Sequence, residues 1–307
     1  MGSMHAMNLR TLDLNLLVVF DALMKERGVS RTADRIGLSQ PAVSHALQRL
    51  RTYFHDPLLV RSSTGMQPTE KALELAPAVR DALRQIESVL DHGEAFRPEE
   101  ARRTFTIGMS DYSGLVLLPG LLRAFQSRSP DSVLHVRAIN RETGPILLDK
   151  AEIDLAVGIQ AKINPSHRHA LLFRDEWVAI CCRHGPYADG EISAKRYAAA
   201  RHLNVSTHGE STHRLDPRFA QLGLRRHVVA STSHFLLAPQ LIRESTMIAT
   251  VARRLAHHFA PMHDLVVKEL PFLEADFENQ MLWHHFATRV PANRWLRELV
   301  SETADGV

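Results

Sequence analysis

The stretch G37-L-S-Q-P-A-V-S-H-A-L-Q-R-L-R51 decides how the N-terminal part of the chain folds. Ser39 is placed to cap a helix, and Pro41 falls in the first turn, where its missing N–H has no intrahelical partner to lose. At helical spacing Val43, Ala46, Leu47 and Leu50 share one face, while Gln40, Pro41, Ser44, His45 and Arg49 lie largely opposite. A core helix has no use for the second set and a solvated helix has none for the first. The segment is built to touch two things.

Upstream, Leu12, Leu16, Val19, Phe20 and Leu23 recur at helical spacing, which predicts a helix from Leu12 to Arg27 stopped by Gly28. Ser30 is the expected cap of a second short helix running to Ile36 and ended by Gly37. Ala33 lies four residues before Gly37 and Val43 six after it. That arrangement suits a helix-turn-helix: a small residue at the crossing, Gly in the tight turn, an apolar residue facing back. Gln40 can bond an adenine edge in two places, Ser44 and His45 can reach bases or phosphates, and Pro41 can contact a thymine methyl.

Between residues 25 and 61 seven basic residues (Lys25, Arg27, Arg31, Arg35, Arg49, Arg51, Arg61) face three acidic ones (Glu26, Asp34, Asp56), a local balance of +4. The whole chain carries only +3, so the charge is concentrated where phosphate contacts require it, and Arg31 and Arg61 join the candidate DNA-contacting set. The alternative is a three-helix bundle with a solvated basic face. Downstream, D56-P-L-L-V-R-S-S-T-G-M-Q-P-T69 reads as a hairpin or wing around a Gly turn.

From Thr69, the residues Ala72, Ala76, Val79, Leu83, Ile86 and Leu90 step by four, three, four, three and four, the seam of a two-stranded coiled coil. Pro77 interrupts it, and packing must offset the cost of about 3 kcal/mol or a kink. The competing reading is a stripe that packs on its own domain. The polar stretch H92-G-E-A-F-R-P-E-E-A-R-R103 then serves as linker.

Beyond it strands and helices alternate: F105–M109, a helix from Leu115 to Gln126, Val133–Ala138, a short helix from Gly144 to Lys150, and I153–G158. A second set follows with W177–C182, L203–S206, V228–A230, a helix near Leu236 to Glu244, and M247–V251. Alternation of this kind implies βαβ units and a parallel sheet. The region from Leu265 to a closing helix at Asn293 to Glu302 has no partner in the second set. Its return to the first would give two lobes joined by crossing strands.

In open α/β lobes ligands sit beyond the carboxyl ends of strands. That rule collects Ser110, Asp111 and Tyr112, then Ile159, then Ser206, Thr207 and His208, then Ser233, His234 and Phe235, and finally Thr250. A helix beginning at this first group can favour an anion, and hydroxyls, amides, a His and two aromatics suit an aromatic carboxylate. Asp111 would repel one unless it points away.

Catalytic signatures are missing: S110-D-Y-S-G lacks the nucleophile-elbow pattern, and neither a phosphate-binding loop nor H-E-x-x-H occurs. No cofactor is expected. The pairs His257-His258 and His284-His285 and the group H167-R-H169 diverge in direction without an accompanying carboxylate or Cys cluster, so no metal site is expected either.

The 307 residues allow two or three domains, and 45% apolar with 23% charged residues describe an ordinary globular chain. The adjacent Cys181 and Cys182 read as reduced thiols, which suits the cytoplasm. No apolar run is long enough for a membrane span, and the opening M1-G-S-M-H-A-M7 does not read as a signal peptide. No membrane partner is expected.

Residues 8–70 closely resemble the winged helix-turn-helix of LysR-type transcriptional regulators, through D13-L-N-L-L-V-V-F20, the A33-to-R51 block, D56-P-L-L-V-R61 and G65-M-Q-P-T69. The wording is nearest the branch of nodulation, naphthalene/salicylate and dinitrotoluene regulators. A looser likeness continues through D154-L-A-V-G158, M247-I-A-T-V251 and F277-E-N-Q-M-L-W-H284 to near Ser301. Ala252 departs from it, standing where that branch often has Pro.

The resemblance implies an α/β chain with an N-terminal winged helix-turn-helix (8–68), a long linker or dimerisation helix (69–92) and a hinge (93–102). A two-lobed inducer-binding domain like the type 2 periplasmic binding proteins would follow (103–303), with lobe I about 103–172 and 268–303 and lobe II about 173–267. It also implies dimers assembled into tetramers, promoter DNA and a small inducer as partners, with RNA polymerase as a further one. Carried over by position, Gln40, Pro41, Ser44, His45 and Arg49 would face DNA, and Arg61 the backbone or minor groove. A solute-binding protein or an enzyme using the cleft are the competing functions; neither accounts for residues 8–70.

Overall fold

The computed structural model describes residues 13–62, 65–90, 96–159, 163–206, 216–273 and 276–307. The chain divides into two compact units, Met1–Glu94 and Ala95–Val307.

In the first unit α1 (Leu14–Glu26), α2 (Val29–Ile36) and α3 (Gln40–Phe54) pack around Phe20, Leu23, Val43, Leu47 and Leu50. Asp13 caps α1 by accepting the Asn15 N–H at 3.0 Å. The helix ends on Arg27 in the left-handed region, one residue before the expected glycine stop. Gly28, not Ser30, is the N-cap of α2, because the Arg31 guanidinium folds back onto the end of α1 and the Thr32 hydroxyl bonds the Gly28 carbonyl at 2.8 Å. Gly37 makes the tight turn at φ 67°, a conformation that glycine adopts without steric cost. Ser39 caps α3 as expected, its Oγ accepting the Ala42 N–H at 3.3 Å.

A two-stranded antiparallel hairpin, β1 (Leu59–Ser62) and β2 (Gly65–Pro68), forms the wing. The long helix α4 (Glu70–Leu90) follows, with Pro77 in its interior. Its seam is shared between two roles. Ala72, Ala76 and Val79 are buried in the unit's own core, with Leu83 packed against it, while Ile86 is 39% exposed. The coiled-coil reading therefore fails for the first half of the stripe, where α1 covers α4. The part-buried Arg80–Asp21 pair at 3.0 Å seals that contact.

The second unit begins with β3 (Thr104–Met109), α5 (Asp111–Arg128), β4 (Val133–Ala138), α6 (Thr143–Asp149) and β5 (Leu155–Gly158). Strands β4, β3 and β5 are parallel neighbours. The strand expected from Trp177 begins ten residues earlier: β6 spans His167–Cys182, 16 residues, despite the charged R174-D-E176 inside it. After it come α7 (Ala194–Ala199), β7 (Arg201–Val205), α8 (Asp216–Gln221), β8 (His227–Thr232), α9 (Ala238–Arg243), β9 (Ile248–Ala252) and α10 (Arg253–His263). Then β10 (Leu265–Lys268) pairs with the far end of β6, and β11 (Asp276–His284) returns between β5 and β6, before α11 (Pro291–Asp305) closes the chain.

The sheet is mixed where alternation alone implies a parallel one. Strands β7, β8 and β9 are parallel, but β6 runs antiparallel to β9, β10 and β11. One continuous order, β4-β3-β5-β11-β6-β9-β7-β8, crosses from the first set to the second through β6. The β6–β11 register slips between Asn279 and Gln280, leaving Leu172 without an opposite residue.

Candidate functional site

On α3 the five candidate residues Gln40, Pro41, Ser44, His45 and Arg49 are all exposed, and Val43 and Leu50 on the other face are fully buried. Arg49 meets Asp13 at 3.1 Å in an exposed pair. Such a pair is worth at most about 1 kcal/mol and yields readily to a phosphate. Arg61 stands exposed on β1. Ser44, Leu47, Arg51, Arg61 and Met66 line an open hollow of about 730 Å³ between α3 and the wing.

The wing is held by groups that charge counting had pooled with the DNA contacts. Arg51 donates through Nε to the Pro57 carbonyl (2.8 Å) and through Nη2 to the Leu59 carbonyl (2.9 Å), tying β1 to α3. Asp56 accepts the Thr69 hydroxyl and the Leu58 N–H, both at 2.6 Å, and the Thr69 bond chiefly holds its carboxyl below the usual range. Arg31, exposed like the other candidates, has a structural role the sequence did not show: its Nε and Nη2 donate to the Glu26 carbonyl at 3.0 and 2.7 Å and Nη2 reaches the Arg27 carbonyl at 3.3 Å, so it satisfies the last carbonyls of α1.

In the second unit the strand-end residues do not all face one space. Ser110, half-buried, is the N-cap of α5: its Oγ accepts the Ser113 N–H at 3.1 Å and lies 2.8 Å from the Ser113 Oγ. Asp111 turns back to the Tyr112 N–H through Oδ1 (2.9 Å) and across to the Leu236 N–H through Oδ2 (3.3 Å). The helix end expected to favour an anion thus already holds a carboxylate of the protein's own, directed at two amides.

Tyr112 points into the core of the second unit. It is 3% exposed, packs on Phe173 and Phe277, and donates its hydroxyl to Asp175 of β6. Burial and then the Asp175 carboxylate raise its pKa. Thr250 is likewise buried within β9, its hydroxyl against that of Tyr197. Ile159 and Phe235 are half-buried, Ser206 is half-buried with its N–H on the Thr232 carbonyl (3.0 Å), and Ser233 and His234 are exposed. Thr207 and His208 lie outside the described residues.

Sequence reasoning missed Asp175. It accepts the Tyr112 hydroxyl from one side and the Arg254 N–H, at 3.2 Å, from the first turn of α10 on the other. Three charged residues in a row hid the strand that carries it. It also missed a meeting of histidines: His167 and His284 are register partners on β6 and β11, and Asp149 Oδ1 lies 2.8 and 4.0 Å from their Nε2 atoms. A carboxylate does accompany them, contrary to the expectation from spacing. Among the described residues no group of three His, Cys, Asp or Glu is arranged to hold a metal ion. Cys181 and Cys182 are both free, and no described helix is long and apolar enough to cross a membrane.

A basic, winged three-helix unit followed by a two-set α/β unit with paired crossing strands defines a DNA-binding regulator carrying a ligand domain. Comparison with known families makes this specific: residues 14–73 match the bacterial regulatory helix-turn-helix of the lysR family, and residues 98–305 match the LysR substrate binding domain. The chain belongs to the LysR family and is a DNA-binding transcriptional regulator controlled by a small-molecule inducer.

It is 33% identical over 294 residues to the HTH-type transcriptional activator NahR of Pseudomonas putida, covering 96% of this chain and 98% of that protein. It is also 33% identical to nodulation protein D of Azorhizobium caulinodans, covering 97% and 95%. Among solved structures, the probable transcriptional regulator PA0477 from Pseudomonas aeruginosa superposes with a TM-score of 0.67 at 32% identity, covering 96% and 98%.

Proposed function

We propose that the exposed face of α3 reads promoter DNA in the major groove, with Gln40, Pro41, Ser44 and His45 at base edges, Arg49 on phosphate, and Arg61 of the wing on the adjacent backbone or minor groove. The observation that carries this reading is the division of α3: all five residues are exposed while Val43 and Leu50 are fully buried, beside a wing held by Arg51. The apolar residues left uncovered on the same unit, Leu14 and Val18 of α1 and Leu73 and Ile86 of α4, make the surface on which a second copy packs. Dimers formed there assemble further into tetramers.

The inducer in this reading is an aromatic carboxylate held between lobe I, at Ser110 and Ile159, and lobe II, at Ser206, Ser233, His234 and Phe235. Asp111 spends its two carboxylate oxygens on the Tyr112 and Leu236 amides. The cleft binds and does not catalyse: the Ser110 hydroxyl caps a helix and the Thr250 hydroxyl faces a tyrosine, so neither meets a base. Inducer changes output only by favouring one arrangement of the lobes over another, and so the contact with promoter and RNA polymerase. The protein works in the cytoplasm, where it is made.

A gel shift with the DNA upstream of its own coding region, with and without aromatic acids, tests both halves. Binding at low salt with a mobility or affinity change on adding one of the acids supports the reading. Failure to bind any DNA at low salt overturns it.

A further inference from the structure

At the N-terminus of α5 a buried chain of side chains ends on Ser110. Asn279 of β11 and Ser113 of α5 are both fully buried. The Asn279 Nδ2 donates to the Ser113 Oγ at 2.8 Å, and the Ser113 Oγ lies 2.8 Å from the Ser110 Oγ. Ser110 in turn accepts the Ser113 N–H. Ser110 alone of the three reaches the surface.

The hydrogens of this chain have one economical arrangement. Turning the Asn279 amide over would strand both N–H donors, whereas the present orientation places one of them on Ser113 and leaves Oδ1 and the other N–H without a partner among the described residues. With Asn279 donating, the Ser113 oxygen is an acceptor and its own hydrogen needs somewhere to go. If Ser110 also donated to Ser113, that hydrogen would be buried with no acceptor, and a buried group left unmet costs about 1–3 kcal/mol. Ser113 therefore donates to Ser110. The Ser110 oxygen already takes two hydrogens, from the Ser113 N–H and O–H, so its own hydrogen is left to point outward.

We infer that Asn279 is a positioning residue: acting through Ser113, it fixes the Ser110 hydroxyl as a donor to the cleft, selecting a ligand that presents an acceptor oxygen there. The inference rests on the reading of the cleft as the inducer site only for the last step, the ligand's polarity. The direction of the hydrogens stands apart from it.

Neutron diffraction from crystals of the perdeuterated, ligand-free full chain tests that direction. Deuterium on the Ser113 Oγ toward Ser110, with the Ser110 deuterium directed away from Ser113, is the expected result. A Ser110 deuterium lying on the Ser113 oxygen overturns the inference whatever binds in the cleft.

Calorimetric titration with sodium benzoate, an aromatic carboxylate probe, tests the consequence. Ser110→Ala and Asn279→Leu should each weaken binding roughly tenfold, the loss of about one hydrogen bond. The double variant should be no weaker than Ser110→Ala alone, whereas a general structural role for Asn279 would make the losses add. Additive losses overturn the positioning role. Ser113→Ala offers the same cycle should Asn279→Leu fail to fold. Benzoate that does not bind the unaltered chain counts against the proposed inducer class, and the neutron result then decides the inference.

Discussion

Replacing Tyr112 by Phe removes one hydroxyl and leaves the ring packing on Phe173 and Phe277 in place. The lost bond is to the Asp175 carboxylate, which is itself almost wholly buried and keeps the Arg254 N–H. Hydrogen bonds to charged groups contribute about 1.5–3 kcal/mol, so Tyr112→Phe should destabilise the second unit by roughly that amount near pH 8. The pH dependence makes the prediction sharper. The tyrosine's folded pKa is raised above the ordinary value of 10.0, so its neutral form is favoured on folding. Below pH 10 the group is protonated in both states and its contribution is fully present. Above it the unfolded chain releases a proton that the folded chain retains, and stability falls by about 1.4 kcal/mol per pH unit for this group.

The gap between the original chain and Tyr112→Phe should therefore narrow as pH rises from 10 to 11. Burial raises Tyr197 and Cys181 as well, so the variant keeps some alkaline slope of its own and only the difference is diagnostic. All three tryptophans, Trp177, Trp283 and Trp295, lie in the second unit, so urea unfolding followed by their fluorescence reports that unit alone. A gap that stays constant from pH 8 to 11, or no loss at pH 8, refutes the reasoning.

Gln40→Ala should relax preference among operator sequences, while Arg61→Ala should weaken all DNA about equally and lower the salt slope by about 1; competition gel shifts across salt concentrations separate the two. Arg31→Ala should lower the melting stability of the first unit by about 1–2 kcal/mol, through its three bonds to α1 carbonyls, and leave salt dependence of DNA binding unchanged. A reduced salt slope would return Arg31 to the phosphate contacts. Leu73→Glu with Ile86→Glu should shift the mass in light scattering toward monomer without unfolding the chain, since both side chains are more than a third exposed; an unchanged mass would move the self-association surface elsewhere.

The helix-turn-helix was legible because each of its parts has a local cause. The 3.6-residue period separates Val43 and Leu50 from Gln40 and Ser44, Gly37 supplies the left-handed turn, and Ser39 caps its own helix. What was not legible depended on what each side chain meets once folded. A formal charge shows that Arg31 is basic but not that its guanidinium closes α1. A heptad shows that Ala72 and Val79 share a face with Ile86 but not that α1 covers only the first part. The strand-end rule locates Tyr112 and Thr250 along the chain and is silent on direction, and both turn out to be buried. Asp175 was least visible of all, since R174-D-E176 looks like a loop until β11 and α10 supply its neighbours.

The bulge at Leu172 bears on how the two sets of strands can move. β6 belongs to both, bonded first to β11 and further along to β9 and β10, so along this strand the two sets share one unbroken backbone. A hydrogen-bonded ribbon resists stretching and sliding but yields to torsion, and a bulge is where its twist is concentrated. The expected movement of one set against the other is a screw-like turn about this ribbon in place of a jaw-like gape. Spin labels placed on the two sets should report a change in mutual orientation with little change in separation.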